Sequence, residues 1–270
     1  MTQTPSPLAD LSGVESLLSF WADAGIDLCL EDEPINRLTE TAQMMRAQTP
    51  PTPLRVAPAP RGHAAANMAA LETAAEKAKG QASSASTLEA LAKAIVDFED
   101  CPLRRDGAHQ PVLWRGQPGS QVLIIGEAPT AGDQSTGQPF SGIEGRLLDR
   151  MLSAAGLTNQ CLMMNSVFWQ PAGGRAPTAA EQKICLPFVE RAIQLSPPKS
   201  LLLLGTASAR GMLGRDDGIL AMHGRWQDWT SSDGQTSLPA MVTLTPAFLL
   251  QQPSAKKKSW NDLLSFRARL

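Results

Sequence analysis

Four short segments carry residue types able to do chemistry, and each follows a run of apolar residues. The first is Gly126-Glu127-Ala128-Pro129-Thr130, continuing through Ala131-Gly132-Asp133-Gln134 to Gly137-Gln138-Pro139-Phe140-Ser141-Gly142. It supplies the carboxylates Glu127 and Asp133 and places an apolar ring, Phe140, in a polar loop. Its glycines let another group approach the backbone closely. The second centres on Asn165, whose amide offers a donor and an acceptor together. The third opens at Gly205, and the fourth at Thr245, a short hydroxyl. Spacing alone leaves a plainer reading open, with Phe140 a buried plug in a turn and Asn165 a polar residue closing a strand.

These segments need a scaffold that brings them together. Val122–Ile125, residues 161–168, Leu201–Leu204 and Ala240–Leu244 read as strands. Between them, residues 143–155 show helical spacing and stop near Gly156. Thr178 with Glu181 forms a capping box that opens a helix to about Leu195. Residues 206–213 and Trp260–Arg269 read as further helices. Strand alternating with helix predicts a three-layer α/β/α sandwich around a central parallel sheet of about four strands. Such sheets bind ligands beyond the carboxyl ends of their strands, where all four segments lie.

The chain has 270 residues, enough for one sizeable core plus extra segments. It has no apolar run of about 18 residues, so no membrane span is expected. The start, MTQTPSPLADL, has neither basic residues nor an apolar core, unlike a secretory signal. Cys29, Cys101, Cys161 and Cys185 lie far apart without a CxxC pair, which argues against a metal knuckle or a disulfide scaffold. A reducing cytoplasm is the expected location. Residues 1–119 hold 10 Lys/Arg against 15 Asp/Glu, while residues 120–270 hold 14 against 11. A tight duplex binder is usually more basic, so any contact with DNA is expected to be a local patch.

Ahead of the alternating region, residues 11–24 read as an amphipathic helix through Leu11, Val14, Leu17, Leu18 and Trp21. Residues 47–65 are rich in Pro and Ala and read as extended. Residues 66–80 fit a polar, Ala-rich helix, and Ser86 with Glu89 forms a capping box before a helix to about Phe98. The expected organisation is an N-terminal helical extension over 1–46, a linker over 47–85 and the α/β domain over 86–270.

The segments also match a known pattern in order. GEAP…D…G.PF.G..G.LLD.ML resembles the first motif of the family 4 uracil-DNA glycosylases. Asn165 followed by Gln170–Pro177, Glu181 and Cys185-Leu186-Pro187 resembles that family's N…RPP.NR.P…E…C.P. Pro198 through Ala207, Gly224-Arg225-Trp226, Leu244–Leu250 and Trp260–Leu263 resemble the later segments, the third of these standing where the family has HPAYLL. The match covers residues 86–270.

The resemblance implies a glycosylase that removes uracil from DNA in base excision repair, acting on a base taken out of the stack. Phe140 then stacks the base beside Gly126, and Asn165 reads its Watson–Crick edge. Glu127 and the backbone of Ala128 shape the first loop and the water site with Asp133, and Thr245 stands where the family has a histidine aimed at the uracil O2. Loss of one such donor costs about 10²–10³ in rate, so slow turnover is expected. Thr130 replaces a family glycine, Asp133 is one methylene shorter than the family glutamate, and Gly174 replaces an asparagine. These departures keep two other readings open. One is a catalytically silent relative that binds DNA or a protein partner through the same face; the other is an altered base preference.

The family's iron–sulfur cluster needs four cysteines. Cys101 and Cys185 match two positions, and Phe98 and Trp169 occupy the others, so no cluster is expected. Leu249 and Leu250, Ser254, and Lys256, Lys257 and Lys258 resemble the segment that wedges into DNA and sits on phosphates. A solvated charge run is the plain alternative. His223 is a possible substitute donor, though a lone histidine is more often a packed residue. Trp21, Cys29 and Glu31-Asp32-Glu33 fit either a partner-binding helix or one packed on the outside of the sheet domain. A monomer is expected.

Overall fold

The computed structural model describes residues 61–105, 110–215 and 217–270. The helix expected over 11–24, the acidic group at 31–33 and Cys29 lie outside the described residues.

The apolar runs become strands because nearly every side chain in them is buried. β1 (Trp114–Gly116), β2 (Val122–Gly126), β3 (Cys161–Asn165), β4 (Ser200–Leu204), β5 (Trp226–Thr230) and β6 (Ser237–Thr243) form one sheet in the order β1-β3-β2-β4-β6-β5. The four central strands β3, β2, β4 and β6 run parallel. β1 and β5 add antiparallel edges, which the sequence reading did not anticipate. Both edges are short on fully buried residues, so neither shows the apolar run that marks a central strand.

Side chains alternate across the sheet. Leu123, Ile125, Leu162, Met164, Leu201 and Leu203 enter one core with the helices α1 (Arg61–Ser84), α2 (Leu88–Asp97) and α6 (Ala179–Leu195). Val122, Ile124, Met163, Leu202, Leu204 and Met241 enter the other with α5 (Ile143–Ala154) and α10 (Lys256–Arg267). This period of two gives a sheet covered on both faces. The remaining helices are α3 (Pro102–Arg105), α4 (Ala131–Thr136), α7 (Thr206–Leu213), α8 (Ile219–Met222) and α9 (Pro246–Gln251). Among the described residues, no helix is long and apolar enough to cross a membrane.

Several boundaries differ from the sequence expectation. The second half of the segment read as a linker over 47–85 is α1, whose Ala74, Ala78 and Ala82 are buried against the core that includes α6. Four-residue spacing puts these small side chains on one face and lets the two helices approach closely. α2 is capped by Thr87, not Ser86: Ala90 N donates to Thr87 Oγ1 at 3.1 Å. β3 stops at Asn165 instead of running to 168. The apolar run continues as Val167, Phe168 and Trp169, buried but out of the sheet. The final helix begins at Lys256 rather than Trp260. The capping box of Thr178 with Glu181 is present at the start of α6.

Candidate active site

The register of the sheet builds the site. Gly126 at the end of β2 pairs with Asn165 at the end of β3, and Leu204 at the end of β4 pairs with Thr243 near the end of β6. The chain leaves all four strands at one edge. There it lines a cavity of about 280 Å³ with Gly126, Glu127, Phe140, Glu144, Asn165, Arg175 and Thr245 among its walls.

Phe140 and Asn165 meet over Gly126. A Cβ on Gly126 would lie 2.4 Å from Asn165 Oδ1 and 2.6 Å from Phe140 Cζ, so only a residue without a side chain fits. Phe140 takes the left-handed backbone conformation at φ +56°, which costs free energy in a bulky residue and marks a position held by its surroundings. Part of that hold comes from Asp133. Its Oδ1 accepts from Ser141 N at 2.7 Å and from Ser141 Oγ at 2.9 Å, and its Oδ2 accepts from Thr130 N at 2.9 Å. Asp133 was expected in the catalytic group. In the structure both its oxygens are engaged and it is 3% exposed, tying Thr130 to the backbone that follows the ring.

Asn165 is 1% exposed and, among the described residues, its Nδ2 has no hydrogen-bond partner. A buried donor left unpaired costs roughly 1–3 kcal/mol, so its persistence on a cavity wall points to a partner supplied by a ligand. Among the described residues, the amide is left with a donor to offer at the cavity wall.

Glu127 projects toward α7. Its Oε1 accepts from Ala207 N at 2.7 Å, at the start of that helix. Burial pushes its carboxyl above the usual carboxylate range, only partly offset by the Ala207 and Thr206 N–H groups. Gly205, at φ +92°, keeps the space for it: a Cβ there would lie 2.4 Å from Thr245 Cγ2 and 2.6 Å from Glu127 Oε1. Ser166 Oγ donates to the Glu127 carbonyl at 2.6 Å and so fixes the loop that carries Ala128. Thr130, at the position of a family glycine, adopts an extended backbone and its hydroxyl caps α4.

Thr245 lines the cavity but already has a structural task. Its Oγ1 accepts from Phe248 N at 3.2 Å and caps α9. The hydroxyl proton remains able to donate. His223 lies apart from the cavity: its Nδ1 pairs with Asp262 Oδ2 at 3.3 Å, in a buried polar group with Thr243 and Ser259.

The wedge needs correction. Leu249 is fully buried, so it cannot enter DNA. The exposed apolar side chain of α9 is Phe248, at 42%, with Leu250 half-buried beside it. One helical step decides which residue faces inward, and the run Phe248-Leu249-Leu250 has no polar residue to show it. Ser254, Lys256, Lys257 and Lys258 are all exposed, from the short turn at Pro253–Ala255 into the first turn of α10.

Two further cavity residues escaped the sequence reading. Arg175 forms a bidentate ion pair with Glu181, at 2.6 Å and 2.9 Å, at the cavity rim. Glu144 sits in the first turn of α5, where an acidic residue ordinarily reads as a complement to the helix dipole.

A sequence model of the uracil DNA glycosylase superfamily matches residues 113–264. The chain belongs to that superfamily. The matched stretch contains every cavity residue named above. Curated relatives include the type-4 uracil-DNA glycosylase of Pyrobaculum aerophilum, 28% identical over 184 residues, covering 66% of this chain and 92% of that protein. The type-4 enzyme of Sulfurisphaera tokodaii is 26% identical over 67% of this chain and 84% of its own length. That of Thermotoga maritima is 28% identical over 62% of this chain and 85% of its own.

The positions that match the cluster ligands of the resemblance are occupied by two cysteines and two aromatic residues. Cys101 and Cys185 are both fully buried in the core around α6. A hydrogen bond between the two thiols holds Cys101 below its ordinary value and pushes Cys185 well above it, with burial adding to the rise. Phe98 and Trp169 are fully buried rings. Phe98 meets Phe188 edge-on at 5.3 Å, and Trp169 meets Phe168 edge-on at 6.2 Å. Among the described residues, two thiols and packed aromatic rings stand at these positions, whereas a Cys₄ cluster is held by four thiolates.

Proposed function

We propose that this chain hydrolyses the N-glycosidic bond of uracil, or of a closely related damaged base, in DNA, and that it does so slowly and without an iron–sulfur cluster. The unpartnered amide of Asn165 against the Phe140 ring is the observation that carries this reading. A planar base slides against the ring, and the Asn165 Nδ2 donates to an acceptor on its Watson–Crick edge. Uracil supplies such an acceptor next to an N–H that Asn165 Oδ1 can take. As the C1′–N1 bond lengthens, its electron pair moves onto the base. Donors aimed at the base oxygens then stabilise the developing anion. Asn165 is one, and the Thr245 hydroxyl is a short, neutral second. DNA reaches the cavity past exposed Phe248, and the run Lys256–Lys258 is available to its phosphates. The names of the curated relatives agree with uracil in DNA as substrate.

The competing reading is a silent relative that binds DNA or a protein through this face. It is favoured by one observation: the Thr245 oxygen is already engaged in capping α9. Single-turnover cleavage of uracil-containing single-stranded DNA, with enzyme in large excess, separates the two. Cleavage that is lost in Asn165→Ala establishes the glycosylase. No cleavage over hours by folded protein leaves the silent binder.

A further inference from the structure

Three carboxylates line the cavity, and the structure commits two of them elsewhere. Glu127 caps α7, and Asp133 has both oxygens engaged by Thr130 and Ser141. Glu144 differs. Among the described residues its carboxylate has neither a hydrogen bond nor an ion pair, although it is half-buried on the wall that Phe140, Asn165 and Thr245 also form. Its place is firmly set. Gly145, the next residue, lies so close to the Phe140 carbonyl that a Cβ there would overlap it, so the first turn of α5 rests directly on the backbone that presents the ring. A base stacked on Phe140 therefore has the start of α5 beside it.

We propose that Glu144 is a catalytic residue of this chain, the base that takes the proton of the attacking water. The inference rests on the glycosidase reading above. In the step, the C1′–N1 bond breaks and its electron pair leaves on the base. Water adds its oxygen to C1′, and the proton it sheds passes to the Glu144 carboxylate. That proton is then released to the base anion or to solvent, so the products are a neutral base and an abasic sugar. A carboxylate on this wall would also stabilise the positive charge that develops on the sugar, as a neutral side chain would not. An uncommitted carboxylate suits both tasks, since no hydrogen bond has to be given up before a proton is accepted.

The environment supports the assignment. Burial, and then the neighbouring charge of Asp133, lift the Glu144 carboxyl above the ordinary carboxylate range, and a stronger base results. The other charged groups that line the cavity are Asp133 from α4, Glu127 just after β2 and Arg175 from the segment before α6. α9 brings only Pro246, Ala247 and Thr245 to the cavity, and on α5 itself Arg146 is exposed.

The test uses the full chain on uracil-containing single-stranded DNA under single-turnover conditions. Glu144→Gln keeps the shape and removes the base, and general-base loss of about 10²-fold or more in rate is expected. Affinity for a non-cleavable 2′-fluoro-deoxyuridine oligonucleotide should stay within a few-fold of wild type, which a collapsed pocket would not allow. The wild-type rate should fall as pH drops through the raised carboxyl range. Glu144→Gln should lose that part of the fall, and Glu144→Asp should restore some rate together with it. Wild-type rates and an unchanged pH profile in Glu144→Gln, beside an inactive Asn165→Ala, would overturn the role of Glu144 and leave the glycosidase standing. A wild-type chain that cleaves nothing would remove both.

Discussion

Gly126→Ala tests the assembly of the site most directly, because it changes no chemical group. The added methyl would stand 2.4 Å from Asn165 Oδ1 and 2.6 Å from Phe140 Cζ, whereas ordinary contact begins near 3.4 Å. Either the amide or the ring must give way by about 1 Å. Gly126 closes β2 and hydrogen-bonds to its neighbours through the sheet, so its backbone has little room to move instead. Misplacement of a positioned group by about 1 Å can cost on the order of 10²-fold in rate. Overpacking costs about 1–3 kcal/mol, which for a domain of this size lowers Tm by about 2–12 °C. Single-turnover cleavage and a thermal melt read the two quantities separately. Loss of about 10² in rate with cooperative unfolding retained supports the arrangement of Asn165 and Phe140 over Gly126. A folded Gly126→Ala protein that cleaves at the wild-type rate would show that the amide and ring do not need this geometry, and the argument from Asn165 would fail with it.

Thr245→His should raise the cleavage rate, by up to about 10²–10³-fold if the new ring donates to the base. It removes the hydroxyl cap of α9, at a cost of about 1 kcal/mol and thus a Tm lower by about 2–4 °C; an unchanged rate in folded protein would refute the donor role. Glu127→Gln should raise Tm at pH 7. The folded state holds the Glu127 proton more tightly than the unfolded state, so the contribution of this group to stability is present at low pH and is lost as pH rises through its raised folded range. The gain should therefore shrink as pH falls toward the ordinary glutamate range, and a gain that grows on acidification would contradict this sign. Protein purified from iron-replete cells should be colourless; absorbance near about 400 nm with stoichiometric iron would show that the site around Cys101 and Cys185 holds a cluster after all.

The scaffold was largely legible in the sequence because its signals are local. Leu201–Leu204 and Val122–Ile125 are too apolar to lie anywhere but in a covered sheet, and Thr178 with Glu181 marks a helix start within four residues. The edge strands Trp114–Gly116 and Trp226–Thr230 were not legible, since a strand with one exposed side carries a mixed pattern that a loop shares. The motifs at the strand ends likewise placed Gly126, Phe140, Asn165 and Thr245 at one edge through chain order alone. What a side chain does there depends on partners distant in the chain, and only the tertiary structure decided it. Asp133 is saturated by Thr130 and Ser141, and Glu127 is drawn to the start of α7. Leu249 turns inward and leaves Phe248 outside. Among the described residues, the Asn165 Nδ2 remains without a partner, and so does the Glu144 carboxylate. Sequence fixes which groups are available, because residue type and local periodicity are properties of neighbours along the chain. Packing fixes which of those groups remain free, because hydrogen-bond partners and burial are properties of neighbours in space.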